Sequence, residues 1–159
     1  MKHLIIDRGN TLLKIALFEN DALKHLWSLS DFSAGAFTNL ISEIKVTIKT
    51  GPVQGIISDV SGKPGNWDTH FSETSFLILS HTLPLPVTLQ YETPETLGHD
   101  RIALAVGASG LFPGENILVI GAGTTITYDF INDKKAYLGG AISPGLLMRF
   151  RALHTFTGK

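Results

Sequence analysis

Asp7, Gly9, Asn10 and Thr11 stand close together between two apolar runs, LII and LLKIALF. Gly123, Thr124 and Thr125 stand in the same way between ILVI and ITYDFI. A glycine in such a turn lets backbone N–H groups approach a phosphate without a Cβ in the way. The neighbouring amide and hydroxyl side chains add donors, and Lys14 adds a positive charge. Asp7 offers a hard oxygen ligand that can hold Mg²⁺ against phosphates. Plainer readings stand beside these: Asp7 as an Asx-turn residue that nucleates a hairpin, and Lys14 as a solvated strand lysine. Aligned on their glycines, LIIDRGNTLLKIALF (4–18) and ILVIGAGTTITYDFI (117–131) are two versions of one pattern. Asp7 then falls on Gly121, Gly9 on Gly123, Asn10 on Thr124 and Thr11 on Thr125. Two such hairpins facing each other predict a clamp for a nucleotide polyphosphate, and hence a phosphoryl-transfer protein.

The elements that must position these residues follow from periodicity and turn chemistry. Residues 3–7, 11–18 and 22–29 read as three successive strands, with turns at Gly9-Asn10 and Glu19-Asn20-Asp21. Ser33 can cap a helix in which Phe37, Leu40, Ile41, Ile44 and Ile48 recur at helical spacing. A buried-type strand at 53–60 enters through Gly51-Pro52, a weak helix covers 64–73, and SFLILS (75–80) is another strand. That order closes one mixed sheet with helices on its faces. Pro84 and Pro86 exclude helix interior and central strand from 81–90. A helix follows from about Gly98 or Asp100 to Phe112, ended by Pro113-Gly114. Strands at 116–121, 125–131 and 136–141 repeat the opening pattern. Ser143-Pro144 reads as an N-cap and first-turn proline, opening a helix to about His154. The second copy thus reaches β-β-β-α without the closing β-α-β, which predicts an apolar face and an unpaired edge.

The 159 residues suffice for one generous domain or two small ones. With 43% hydrophobic and 17% charged residues, the chain suits a compact fold rather than a disordered one. The formal net charge of −1, without a Lys/Arg stripe, argues against nucleic acid as the main ligand. Cysteine is absent, which removes disulfides and thiolate chemistry and fits a reducing compartment. Met1-Lys2-His3 runs straight into a strand, unlike a signal peptide, and no apolar run reaches membrane-spanning length. The expectation is a soluble cytoplasmic protein without a membrane partner. The six histidines show no paired ligand spacing, so no zinc site is expected.

IDRGNTLLKIALF, YETPETLGHDR, GAGTTITYDF, YLGGAISPG and the ALHTFTG ending occur in this order across nearly the whole chain. Together they resemble the type III pantothenate kinases, within the actin-like ATPase and sugar-kinase superfamily. The resemblance implies an α/β fold of duplicated actin-like ATPase (ribonuclease H-like) β-β-β-α-β-α-β units, the second incomplete. It divides the chain into 1–112, the first unit with its linking helix, and 113–159, the start of the second. It implies ATP-dependent phosphorylation of pantothenate, the entry step to coenzyme A, with Mg²⁺ and by a homodimer.

The same resemblance assigns roles. Asp100 orients the attacking hydroxyl and accepts its proton, though helix capping is the commoner use of an Asp at such a place. Arg101 grips the pantothenate carboxylate in a fork, against an ordinary ion pair. Tyr91, Gly98 and His99 line the substrate site, and Thr124 contacts ATP beside Gly123 and Thr125. Gly139-Gly140 and the Ser143-Pro144-Gly145 segment fit either a close approach to an anion or a strand-to-helix turn.

Two departures stand out. The family and the internal repeat both expect Asp where Gly121 stands. In the family that carboxylate belongs to a K⁺ or NH₄⁺ site, which should be lost here. Family members also continue beyond the pattern present here, through the adenine pocket, so the chain reads as C-terminally truncated. A non-catalytic or regulatory relic, or another small-molecule kinase of the superfamily, stays open as an alternative.

Overall fold

The computed structural model describes residues 1–30, 32–48, 53–62 and 65–158. The chain divides into two compact units, Met1–Leu79 and Ser80–Lys159. The sequence reading sets its boundary later, after residue 112. The linking helix in question packs on strands of the second unit, so it belongs there.

In the first unit β1 (Lys2–Arg8), β2 (Leu13–Glu19) and β3 (Ala22–Leu29) form an antiparallel meander. After α1 (Ala34–Ile48), β4 (Val53–Asp59) returns parallel to β1, and β5 (Thr74–Ile78) adds parallel to β4. The sheet order is β3-β2-β1-β4-β5. Alternation along β1 and β2 sends Leu4, Ile6, Leu13, Ile15 and Leu17 to one face, where α1 covers them with Leu40, Ile41, Ile44 and Ile48. The Ser33 carbonyl accepts the Phe37 N–H at 3.0 Å, placing Ser33 at the mouth of α1 as expected. The weak helix shrinks to one turn, α2 (Trp67–His70), whose buried Trp67 packs edge-on against Phe37. Gly51, Pro52 and Pro64, which entered the sequence reading, lie outside the described residues.

In the second unit β6 (Thr88–Leu89) follows the prolines, then a 3-10 turn at Pro94–Thr96, then α3 (His99–Leu111). The meander β7 (Ile117–Ala122), β8 (Thr125–Ile131) and β9 (Ala136–Pro144) precedes α4 (Leu146–Phe156). The sheet order is β6-β9-β8-β7. The segment 81–90 therefore does hold a strand, but a two-residue one at the edge, where the preceding Pro84 and Pro86 interrupt no ladder. Each unit thus contains the same three-strand meander followed by a helix, as the internal repeat predicts.

One expectation is corrected. Ser143 and Pro144 are not a helix cap; they finish β9, paired with Ile126 and Thr125. Proline is tolerated there because β6 pairs only with Ala136 and Tyr137, at the far end of β9. Gly145 caps α4 instead. A Cβ on Gly145 would strike the carbonyl oxygens of Gly123 and Thr124, so this glycine serves close backbone packing. Leu118 and Ile120 of β7 and Phe130 of β8 are exposed on one face of the sheet, the apolar face expected from the pattern; Leu147 and Phe150 of α4 are exposed as well. Among the described residues no helix is long and apolar enough to cross a membrane.

Candidate active site

The first hairpin turn is closed by the Gly9 N–H donating to the Leu12 carbonyl at 3.0 Å. Asp7, half-buried, sits opposite Lys14 in the β1–β2 register, while Asn10, Thr11 and Lys14 are exposed. The second turn is closed by the Gly123 N–H donating to the Thr125 carbonyl at 2.9 Å, with Gly123 and Thr124 exposed. Neither turn glycine has a positive φ. A Cβ at Gly9 would lie 3.3 Å from the Leu12 oxygen, and one at Gly123 would meet nothing nearer than the Thr125 oxygen at 3.8 Å. The packing within each unit therefore demands little of glycine at these turns, least of all at Gly123.

The mouth of α3 is built differently. Gly98 is its N-cap, and Asp100 is the second helical residue rather than the cap. The Asp100 side chain folds back so that a Cβ on Gly98 would lie 2.5 Å from its Oδ1. That oxygen accepts the Arg101 N–H at 2.9 Å, a donor it shares with the Gly98 carbonyl at 3.0 Å. His99 is half-buried, and its Nδ1 is sealed from solvent with no hydrogen-bond partner among the described residues.

Arg101 turns inward from the same helical turn and is only 6% exposed. Its Nε donates to Oδ1 of Asp129 at 2.7 Å, and its Nη2 also lies 2.7 Å from that oxygen. Asp129, on β8, is fully buried, and its Oδ1 additionally accepts the Tyr137 hydroxyl at 2.7 Å. Burial first, then the bond to Asp129, holds the Tyr137 phenol well above its ordinary range, so it remains a proton donor at neutral pH. Gly140 faces Asp129 across the β8–β9 register; a Cβ there would strike the Tyr128 carbonyl and come within 2.9 Å of the Arg101 Nη2. Gly139, at φ +118°, passes beneath the ring of Tyr91, which meets the Tyr137 ring edge-on at 6.1 Å.

The second unit thus connects Tyr91 and Arg101, two of the residues that the resemblance assigns to substrate, through a buried Tyr137–Asp129 link. Gly98, His99 and Asp100 share the helix mouth with Arg101. The alternative of a surface ion pair for Arg101 is replaced by a buried one: its Nε donates to Asp129, while its Nη2 lies against the same oxygen without a hydrogen bond among the described residues. Tyr91, outside the helices and strands, packs on Tyr137. Sequence reading missed Asp129 and Tyr137. The signal was present as an Asp inside the apolar strand TITYDFI, since a carboxylate is buried only when paired.

Gly121 lies opposite Thr127 in the β7–β8 register. A Cβ at Gly121 would be 2.7 Å from the Thr127 Oγ1 and 3.1 Å from Cδ1 of Leu104. The room that an aspartate would need is already taken. Among the described residues no three His, Cys, Asp or Glu side chains are grouped to hold a metal by themselves.

Two antiparallel meanders, each with a glycine hairpin and a following helix, define the actin-like ATPase and sugar-kinase fold. Two solved structures show the same fold at low identity. A candidate 2-dehydro-3-deoxygalactonokinase from Sinorhizobium meliloti aligns over 98% of this chain and 58% of its own, with TM-score 0.60 and 14% identity. An exopolyphosphatase from Cytophaga hutchinsonii aligns over 97% and 54%, with TM-score 0.52 and 11% identity. The model of the type III pantothenate kinase family matches residues 3–159, and the chain belongs to that family. Among curated relatives, type III pantothenate kinases from Christiangramia forsetii and Phocaeicola vulgatus are each 42% identical, over 98% and 99% of this chain. The chain spans 63% of the length of each.

Proposed function

We propose that this chain carries the phosphate turns and acceptor-binding helix of a kinase that phosphorylates pantothenate to 4'-phosphopantothenate, the first step toward coenzyme A. The observation that carries the reading is the helix mouth of the second unit. An Asp and an Arg follow one another there, the Arg locked inward and the Asp folded over a glycine. The pantothenate hydroxyl oxygen forms a bond to the γ-phosphorus of ATP while the bond from that phosphorus to the β,γ-bridging oxygen breaks. ADP leaves with the bonding electron pair, and the hydroxyl proton passes to the Asp100 carboxylate. Such a transfer depends on positioning and charge stabilisation more than on strong basicity. Arg101 meets the acceptor carboxylate, with Tyr91, Gly98 and His99 around it.

The Gly9 turn with Asn10, Thr11 and Lys14, and the Gly123 turn with Thr124 and Thr125, are assigned to ATP phosphate. Support comes from the glycines themselves: the open space at Gly123 is not needed by its own unit and suits an outside group. Replacing Gly123 by Ala should leave the melting temperature nearly unchanged. It should raise the KM for ATP on the order of tenfold, the weight of a lost hydrogen bond to a charged group. Steady-state kinetics beside a thermal melt check this.

Mg²⁺ is fitted by the donor set, since it usually keeps several waters and takes one or two carboxylates beside substrate phosphates. Asp7 would supply that oxygen, and the ion would neutralise phosphate charge. A monovalent-cation site is not fitted, because Gly121 has no side-chain oxygen and Thr127 and Leu104 fill the space. Turnover should therefore be the same in K⁺, NH₄⁺ or Na⁺ at constant ionic strength, measured by ADP release. Strong activation by K⁺ would contradict it. Family membership further suggests a cytoplasmic homodimer, which sedimentation can check.

The test of the whole reading is ADP formation that requires pantothenate, with the phosphorylated product identified by mass spectrometry. No pantothenate-dependent ADP at high protein concentration would defeat it for this chain. The filled space at Gly121 favours one second reading, a non-catalytic relic of the family. Calorimetry separates them, since a relic without a ligand role binds neither ATP nor pantothenate.

A further inference from the structure

We propose that Asp129 and Tyr137 are positioning residues that set acceptor affinity by locking Arg101 and Tyr91, without touching the acceptor themselves. The inference rests on the kinase reading above. Three observations within the second unit carry it. First, one oxygen of the fully buried Asp129 receives the Arg101 Nε and the Tyr137 hydroxyl, each at 2.7 Å, so Tyr137 fixes the carboxylate that holds the guanidinium. Second, the Tyr137 ring supports Tyr91 edge-on, joining the second acceptor-side residue to the same anchor. Third, the backbone is shaped around the lock. Gly140 leaves the space in which the Arg101 Nη2 lies, and Gly139 takes a left-handed φ of +118° beneath the Tyr91 ring.

A guanidinium on a long chain has many rotamers, and holding it costs conformational entropy at the moment of binding unless it is already held. The lock places that cost in folding. Tyr137 contributes a neutral donor, because burial and Asp129 keep its proton in place, so the Asp129 charge is left to pair with Arg101. The Asp129 Oδ2 and the Thr127 Oγ1, two residues apart on the same face of β8, are buried without hydrogen-bond partners among the described residues. The polar layer under α3 thus spends its strongest contacts on Arg101 rather than on satisfying itself.

The test compares Tyr137→Phe and Asp129→Asn with the wild type in the full chain, by calorimetry with pantothenate and separately with ATP. Tyr137→Phe keeps the ring against Tyr91 and removes only the hydroxyl, so it stays informative where Asp129→Asn fails to fold. The expected result is a pantothenate Kd about tenfold weaker in each folded variant, with ATP binding unchanged. Asp129→Glu, which retains the charge, should recover part of the loss. Equal weakening of both ligands, or a lower melting temperature with unchanged pantothenate binding, would overturn the lock. Wild-type protein that binds no pantothenate would instead defeat the kinase reading, and this inference with it.

Discussion

Asp100→Asn should lower kcat by about 10²- to 10⁴-fold, the usual contribution of a positioned proton acceptor, while leaving the fold intact. The second half of that expectation comes from the helix mouth. The Asp100 Oδ1 accepts the Arg101 N–H, and an asparagine retains an oxygen able to do the same. What the substitution removes is the charge and the capacity to take a proton. Circular dichroism and a thermal melt would therefore show a nearly unchanged protein alongside a dead enzyme. A large loss of stability with kcat preserved would mean that the residue serves the helix end alone. Asp100→Ala would lose both functions and separates nothing.

The second large effect concerns stability. Arg101→Met should destabilise the second unit by about 3–5 kcal/mol, because Asp129 is left buried and charged without its partner. The lost contact matters less than the stranded carboxylate. A double variant, Arg101→Met with Asp129→Leu, tests this, because removing both ends of a buried pair is often nearly neutral. Urea unfolding of the two single variants and the double variant gives the coupling. If the double variant is as unstable as the sum of the singles, the pair contributes to stability as two independent side chains.

Much of the architecture was legible because its signals are local. Two copies of an apolar–glycine–polar–apolar ribbon announced the paired meanders, and α3 began within a residue of where Gly98 and Asp100 pointed. The errors have physical causes. Ser143-Pro144 has the chemistry of a helix start, yet pairing with Ile126 and Thr125 carries the strand three residues past its expected end. The short edge strand after Pro86 is no error, since the prolines exclude only a helix interior and a central strand, and the neighbouring β9 calls it into the ladder. The unit boundary moved because α3 chooses its sheet through packing, which its own apolar pattern does not name.

The candidate site divides the same way. Gly9 and Gly123 sit where their spacing puts them, in the turns, with Asp7 near the end of β1. For Arg101 the sequence offers a fork on the acceptor carboxylate or an ordinary ion pair, and nothing near it in sequence shows that it is buried. Its partner is 28 residues away on a different element, and only the folded register brings Asp129 beneath the helix. The carboxylate was visible as an oddity in an apolar strand, but its meaning depended on a pairing that sequence order conceals.

The bare backbone at Gly140 has a consequence for how such a protein can change over generations. Arg101, Asp129 and Gly140 occupy one volume, so none of the three positions can drift alone. A side chain arriving at 140 evicts the cation, a lost cation strands the anion, and a lost anion leaves the cation buried in grease. Substitution there must travel through costly intermediates, which makes this trio a conservative landmark for sorting working relatives from decayed ones.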